Sequence, residues 1–180
     1  MEETFAQYIL DEKNFTRKLE IVFYLEKKTK IFFDKSVVLK AELAKLFIET
    51  MKIDVDENLV LTACLLCNCK KPSNFIDLSK VKSYAKEGAE FLSTLGFDNR
   101  FCKICEEVNR YSGSVPREKE SDILELVDHF GGMILDRPER IGMKVDEALV
   151  LLEYRNFKDK NNRYLKDFIK FVNKMQEVYI

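Results

Sequence analysis

Apolar side chains recur every three or four residues along almost the whole chain, and this spacing is typical of amphipathic helices. Only 6 glycines and 3 prolines interrupt a sequence of 180 residues, whereas 14 phenylalanines and 7 tyrosines are available to fill a core. We find no convincing alternation of apolar and polar residues of the kind that strands require. The sequence therefore predicts an all-α fold, a bundle of about seven or eight helices.

The sequence indicates which helix lies at the centre of this bundle and which face of the preceding helix is buried. Residues 57–69 are apolar on nearly every side, which indicates a central, fully buried helix. The helix before it spans residues 36–52, and we expect its buried face to carry Leu39, Leu43, Leu46, Phe47 and Met51. The other helices are expected in residues 5–33 (one or two), 78–95, 98–111, from 118 or 121 through Phe130, 145–152 and 163–178.

The charge balance excludes some classes of partner. Lysine and arginine number 30 against 31 acidic residues, so the formal net charge is -1, and neither nucleic acid nor anionic lipid is generally attracted. No stretch approaches eighteen uninterrupted apolar residues, and the first residues do not resemble a secretory signal. We therefore expect a cytoplasmic protein with no nucleic-acid partner and no membrane insertion.

Histidine and cysteine limit the chemistry further. The chain has one histidine, His129, so any mechanism that needs two histidines is excluded. Five cysteines are expected to be free thiols or metal ligands in a reducing compartment. Four of them have the spacing of a zinc site, namely Cys64, Cys67, Cys102 and Cys105. Both pairs lie inside predicted helices, where cysteine commonly replaces a small core residue, and this interpretation is favoured over structural zinc.

Four stretches occur in an order that is informative. Residues 64–71 read Cys-Leu-Leu-Cys-Asn-Cys-Lys-Lys, and residues 84–92 read Tyr-Ala-Lys-Glu-Gly-Ala-Glu-Phe-Leu. Residues 107–116 read Glu-Val-Asn-Arg-Tyr-Ser-Gly-Ser-Val-Pro. The longest stretch, residues 123–140, reads Ile-Leu-Glu-Leu-Val-Asp-His-Phe-Gly-Gly-Met-Ile-Leu-Asp-Arg-Pro-Glu-Arg. Together they resemble the motifs of the HD superfamily of metal-dependent phosphohydrolases, and specifically its HD-GYP branch.

The resemblance extends over about residues 36–152 and implies a helical bundle of the HD type. It also suggests a division of the chain into three segments. Residues 1–34 would be a helical extension packed on the domain, residues 35–155 the HD-GYP-like domain, and residues 156–180 a C-terminal amphipathic helix. That last helix has a basic face, which either docks on a partner or, as we favour, is solvated while the helix covers its own core.

In the HD superfamily, histidines and aspartates hold two or three metal ions that generate a hydroxide and neutralise the phosphodiester. The first ligand position falls near Lys35 or Ser36. The later positions are occupied here by Cys67, Asn68, Tyr84, Glu107 and Val108. Asp128 alone keeps the ligand type of the family, and a lone carboxylate cannot hold a binuclear centre. The resemblance therefore implies that the reaction is lost and that no cofactor is required.

Some charged residues of the former cleft remain. Lys71 matches the active-site lysine of the family, and Arg137 and Arg140 match its Asp-Arg-Pro-x-Arg segment. With Asp128 they form a candidate phosphate or nucleotide site, because arginine presents a planar fork of donors and lysine a point charge. The other interpretation is that Lys71 is solvated after a helix end and that Arg137 belongs to a capped turn. Ser114 to Pro116 replace the Gly-Tyr-Pro of the family, which weakens any specificity for cyclic di-GMP.

The function predicted on this basis is that of a catalytically degenerate HD-GYP-like domain in bacterial signalling. It would act as a protein-interaction module or as a nucleotide sensor, and the sequence does not separate the two. The alternative is a metal-dependent phosphohydrolase, a cyclic dinucleotide or nucleotide phosphodiesterase, whose rebuilt site uses Asp128, Glu107, Tyr84 and a cysteine. A divalent metal is expected only under that alternative. The sequence leaves the oligomeric state open.

Overall fold

A computed structural model of the chain describes residues 4–29, 36–72, 78–109, 117–136, 140–159 and 162–178. Within these ranges it consists of helices joined by turns, without an extended strand, so the all-α prediction is confirmed. The helices are α1 Phe5–Asp11, α2 Phe15–Thr29, α3 Ser36–Met51, α4 Glu57–Leu66, α5 Leu78–Thr94, α6 Asn99–Glu106, α7 Lys119–Ile134, α8 Val145–Asp159 and α9 Leu165–Val178. Their number in the described ranges exceeds our prediction by one or two.

The break between α1 and α2 is encoded locally by capping residues. Thr4 begins α1 with a capping box, in which its side chain accepts from the Gln7 amide while the Gln7 side chain accepts from the Thr4 amide. Asn14 begins α2, because its Oδ1 accepts from the amide of Arg17 at 3.1 Å. The first 29 residues therefore contain two helices rather than one.

The middle of the bundle is α4, as predicted. Asp56 caps it by accepting from the Leu59 amide, and every residue from 60 to 66 is buried. The helix contacts α1, α2, α3, α6 and α7, which explains why it is apolar on all sides. It ends at Leu66 rather than at residue 69, and residues 67–70 form a turn. Asn68 and Lys71 therefore lie just beyond the end of the central helix.

The buried face of α3 differs from our prediction. Phe47 is buried as expected and Leu43 and Met51 are partly buried, but Leu39 and Leu46 are 40% and 45% exposed. The residues that are buried instead are Val37, Lys40, Ala41, Ala44, Phe47 and Ile48. The small side chains of Ala41 and Ala44 allow α3 to pack closely against its main neighbours, α4 and α7. Our prediction assigns the largest apolar residues of α3 to its buried face, whereas the buried face includes its smallest ones, Ala41 and Ala44.

The later helices differ from the prediction mainly in length. Asp98 caps α6, which is shorter than expected, and α8 extends seven residues beyond the predicted residue 152. The pair Gly131 and Gly132 lies inside α7 near its end.

One continuous core includes residues from every segment of the chain, from Ala6 in α1 to Val172 in α9. The rings of Phe47 and Phe130 each meet Phe168 edge-on, at centroid distances of 5.1 and 5.4 Å. The apolar face of α9 is thereby packed on α3 and α7, while Lys166, Lys170 and Lys174 on its other face are exposed. Among the described residues, none of the helices combines the length and the apolar character needed to cross a membrane.

Candidate functional site

Asp128 of α7 lies at the centre of a buried polar cluster. Its Oδ1 accepts a hydrogen bond from Lys40 Nζ of α3 at 2.7 Å and another from Asn68 Nδ2 at 2.7 Å. Its Oδ2 lies 3.4 Å from Lys71 Nζ. Three elements, namely α3, α7 and the turn after α4, therefore meet at one carboxylate. We call Asp128, Lys40, Asn68 and Lys71 the Asp128 cluster.

The charge of Asp128 is fixed by its neighbours. Burial by itself raises the pKa of this carboxyl. The charges of Lys71, Lys40 and His129 and the hydrogen bond from Lys40 together outweigh burial, and they hold the pKa of Asp128 well below its usual range. The carboxylate is therefore ionised at neutral pH, and its hydrogen bonds are charge-assisted.

Tyr84 and Cys67, which the resemblance aligns with ligand positions of the HD superfamily, lie beside this cluster. Lys71 Nζ lies 5.5 Å from the centroid of the Tyr84 ring, within the range of a cation–π contact. Burial, and then the charge of Asp128, raises the pKa of the Tyr84 hydroxyl well above its usual value. The same two causes raise the pKa of the Cys67 thiol. Both groups are therefore neutral at pH 7, which makes them poor ligands for a hard cation.

Glu107, which the alternative function placed in a rebuilt metal site, accepts hydrogen bonds from the start of α7. It is fully buried, and its Oε2 accepts from the Glu118 amide at 2.9 Å and from Ser121 Oγ at 2.6 Å. It therefore binds the first turn of α7, where a carboxylate also suits the helix dipole. Ser121 precedes Asp128 by two helical turns, about 10 Å along the axis. Glu107 therefore contacts α7 about two helical turns away from Asp128.

The residues of the predicted phosphate site are only partly brought together. Lys71 and Asp128 are in contact, as described above. Arg140 instead donates to the carbonyl oxygens of Gly132 and Met133 in the last turn of α7, and the Met133 oxygen also accepts from the Met143 amide. Asp136 Oδ1 accepts a hydrogen bond from the Gly142 amide at 2.7 Å. Arg137 lies outside the described residues, as does Lys35, while Ser36 is the first residue of α3.

Val108, which the resemblance also aligns with a ligand position, and most of the cysteines lie in the core. Val108 is fully buried. All five cysteines are free; four are buried and Cys102 is partly exposed. Burial is the first cause that raises the pKa of each thiol, for Cys69 to about 11. In the part of the chain that the structure describes, no three or more histidine, cysteine or acidic side chains are grouped so that they could hold a metal ion.

A second feature of the surface lies between α1 and α2. A groove of about 430 Å³ is lined by Phe5, Tyr8, Ile21, Tyr24 and the pair Arg17 and Glu20. A neighbouring concavity of about 450 Å³ shares Arg17 and Glu20 and adds Glu12, Asn14 and Thr16. Arg17 Nη1 lies 2.5 Å from Glu20 Oε2, so this ion pair separates an aromatic half from a polar half. We call the two concavities together the α1–α2 groove.

Lys40 is the residue of the Asp128 cluster that sequence reasoning missed. No motif includes it, and its partner Asp128 is 88 residues away. One signal was present: Lys40 lies on the same helical face as Val37, Ala41 and Ala44, where an unpaired lysine would be costly. A charged residue inside a stripe of small apolar residues therefore indicates a buried partner of opposite charge.

Comparison of the chain with protein-family models, with curated proteins and with solved structures finds no match. The class that the fold and the site define is thus an all-α bundle with a buried lysine–aspartate–asparagine cluster. The resemblance to the HD superfamily depends on the four sequence stretches.

Proposed function

We propose that the protein is a catalytically degenerate HD-GYP-like domain that acts by binding a protein partner. The observation that carries this proposal is the state of Asp128, the one position that keeps the ligand type of the family. Both of its oxygens face donors of the chain itself, Lys40 and Asn68 on one side and Lys71 on the other. A metal ion would have to displace these donors.

The charges around Asp128 also disfavour a divalent metal. Two ammonium groups lie within 3.4 Å of one carboxylate, and they would repel a dication. The other nearby ligand positions are the neutral groups of Asn68, Tyr84 and Cys67, whereas Glu107 is engaged at the start of α7. These observations favour the degenerate domain over a rebuilt phosphohydrolase.

The choice of a protein partner is supported by the α1–α2 groove. Its aromatic half exposes Tyr8 and Tyr24, at 43% and 61%, beside the buried Ile21. In its polar half, the carboxylates of Glu12 and Glu20 outnumber the one cation, Arg17. The partner that complements both halves is a polypeptide segment with an apolar side chain next to a lysine or arginine.

A nucleotide remains the second candidate, because Lys71 is held less firmly than Lys40. Its side chain is 16% exposed and its distance to Asp128 is 3.4 Å, against 3% and 2.7 Å for Lys40. Lys71 can therefore turn towards a phosphate at a lower cost. Arg140 would first have to leave the carbonyl groups at the end of α7.

The loss of catalysis is tested by elemental analysis of protein purified without chelator or added metal. We expect iron, manganese and zinc each well below one per chain, and no phosphodiesterase activity when these metals are supplied. Iron or manganese near one per chain, removed by Asp128→Ala, would overturn this part of the proposal in favour of the phosphohydrolase.

Partner binding is tested by selecting peptides from a displayed random library on the immobilised full chain. We expect the selected peptides to pair an aromatic or aliphatic residue with lysine or arginine, and Tyr24→Glu to abolish their binding. Tyr154→Glu on α8, a tyrosine of similar exposure, is the matched control and should bind normally. Peptides without this pattern, or equal loss in both variants, would remove the groove from the proposal.

The nucleotide candidate has its own readout. A nucleotide that raises the melting temperature of the wild type, but not of a variant with charge reversal at Lys71 and Arg137, would make the domain a nucleotide sensor. No shift with any common mono- or cyclic dinucleotide would leave the protein partner as the function to pursue.

A further inference from the structure

We propose that the Asp128 carboxylate, oriented by Asn68, forms a buried cation site for a primary ammonium group, and that Lys40 fills this site from within the chain. The proposal deepens the proposed function, and rests on it, because it names what occupies the position of the lost metal. It treats Lys40 as a resident cation rather than as an ordinary structural lysine. Four observations lead to it.

The first observation is the geometry at Asp128. The ammonium of Lys40 approaches Oδ1 at 2.7 Å and is 3% exposed, so it is almost fully withdrawn from water. A buried ammonium is costly unless it is paired and hydrogen-bonded. The ionised Asp128 carboxylate, buried beside it, provides that pairing.

The second observation is an acceptor that the Lys40 ammonium leaves unused. Asn68 must turn its Nδ2 towards the Asp128 carboxylate, because only the amide NH₂ can donate to it. Its Oδ1 is consequently directed elsewhere, and this atom is buried without a hydrogen-bond partner. Asn68 as a whole is 5% exposed. Asn68 therefore orients the carboxylate that receives the ammonium, and its Oδ1 remains as a buried acceptor beside the cluster.

The third observation is the space made for the lysine by Gly131 of α7. A Cβ atom at this position would lie 2.9 Å from Cγ of Lys40 and 3.5 Å from Cε. The first distance is shorter than carbon atoms tolerate, and the lysine cannot retreat without leaving Asp128. Gly131 is thus a positioning residue, since the absence of its side chain lets the Lys40 stem cross α7 one turn beyond Asp128.

The fourth observation selects the class of cation. Lys71 Nζ remains 3.4 Å from Oδ2 on the other side of the carboxylate, and its charge would repel a divalent ion more strongly than a monovalent one. Neutral Asn68 adds no second negative charge to the site. A monovalent cation with several N–H donors satisfies these conditions, and a primary ammonium is the simplest example.

The site is tested by emptying it and refilling it from solution. Lys40→Ala removes the atoms of a propylammonium ion, so the variant is titrated with propylammonium chloride while its melting temperature is measured. We expect a melting temperature several degrees below that of the wild type and a saturable rise with propylammonium. Propan-1-ol, which has the same size without the charge, and tetramethylammonium, which has the charge without N–H donors, should produce no such rise. Asp128→Asn in the same background should abolish the response.

Gly131 provides an independent test that needs no added ligand. Gly131→Ala should lower the melting temperature of the wild type clearly, but should cost much less in the Lys40→Ala background, where the stem is gone. If Lys40→Ala does not fold unaided, the titration becomes one of refolding yield, which propylammonium should restore and propan-1-ol should not.

Two results would overturn the inference. Equal stabilisation by propan-1-ol would mean that only an apolar cavity had been filled. An equal cost of Gly131→Ala with and without Lys40, together with no propylammonium response, would mean that Lys40 occupies no defined site. Neither result concerns the proposed function, which fails instead if the wild type carries iron or manganese at Asp128 or if no peptide binds the α1–α2 groove.

Discussion

Lys40 Nζ on α3 and Oδ1 of Asp128 on α7 are 2.7 Å apart, although 88 residues separate them in the sequence. Around this pair the contact between α3 and α7 is formed by small and apolar side chains. This ion pair favours one register between the two helices, because a shift by one turn would leave the Lys40 ammonium buried away from its counter-charge. The Asp128 cluster thus joins three parts of the fold, and both oxygens of its carboxylate face donors of the chain itself.

Replacement of Asp128 by alanine should be strongly destabilising. It leaves Lys40 buried without a counter-charge and removes the acceptor of Asn68, so we expect a loss of about 3–5 kcal/mol in the free energy of unfolding. Urea denaturation measures this loss. Glu153→Ala, at an exposed position in the middle of α8, is the control and should change the free energy by less than about 0.5 kcal/mol. A small effect at Asp128 would mean that the ion pair is loosely formed in solution.

The pair should also be replaceable by apolar residues. Lys40→Met with Asp128→Leu removes both charges together, and such exchanges of buried ion pairs are often neutral or stabilising. We expect the double variant to recover most of the stability that Asp128→Ala loses, with Lys71 turning towards solvent from its partly exposed position. A double-mutant cycle of Lys40→Met, Asp128→Leu and the double variant measures the coupling free energy between the two residues. Additive losses would argue against a direct contact.

Acid should weaken the fold through Asp128. Its pKa is depressed in the folded protein, so its stabilising contribution is fully present above the unfolded pKa of about 3.9 and is lost as the pH falls towards the folded value. Below about pH 4 the free energy of unfolding of the wild type should therefore fall more steeply than that of Asp128→Asn. Chemical denaturation at a series of pH values compares the two slopes, and parallel curves would contradict the assignment.

Sequence reasoning predicted the fold class and placed Lys71 and Asp128 in one candidate site. Helical spacing and the few turn residues were sufficient for the all-α class and for the central position of α4, because a helix that is apolar on every side has only one stable environment. The face of α3 was wrong because close packing selected Ala41 and Ala44 over Leu39 and Leu46. Leucine content indicates that a helix is buried, but not always on which side.

At the site, the proximity of Lys71 and Asp128 was expected from the order of the motifs, and the two side chains are in contact. The role of Lys40 was not expected, since it depends on a tertiary contact that no local pattern encodes. Glu107 shows the converse case: its residue type suited a metal, yet its carboxylate is used by the first turn of α7. Residue type restricts the chemistry, but the partner of each group depends on packing.

A second buried lysine, Lys18, should make stability depend on pH in the alkaline range. Lys18 of α2 is fully buried and donates to the carbonyl of Ile9 at 2.5 Å and to Thr62 Oγ1 at 2.7 Å, so it joins α1, α2 and α4. Burial lowers the pKa of Lys18 to about 8, although Glu12, Asp56 and Asp11 act in the other direction. An unfolded lysine titrates near 10.4. Between these values the unfolded chain binds more protons, so stability should rise with pH.

Lys18→Met isolates this effect. The difference in unfolding free energy between wild type and variant should change by up to about 1.4 kcal/mol per pH unit between pH 8 and 10, in favour of the wild type as the pH rises. Subtraction of the variant removes the contribution of the tyrosines and exposed lysines that titrate in the same range. A difference that stays constant with pH would mean that Lys18 keeps its proton in the folded protein. A difference that favours the wild type more as the pH falls would mean that the pKa of Lys18 is raised rather than lowered.

The cysteines should differ sharply in reactivity, since only a thiolate that a reagent can reach is alkylated. Cys64, Cys67, Cys69 and Cys105 are buried, and burial raises their pKa values, whereas Cys102 is partly exposed. In the native protein at pH 8 we expect iodoacetamide to modify Cys102 first, and Cys102→Ser to remove the fast phase. Cys105→Ser, one helical turn away on α6, is the control and should leave that phase intact. Protection of Cys102 that a zinc chelator abolishes would instead show that Cys102 is a metal ligand, because chelation cannot change the access of a reagent to a thiol that holds no metal.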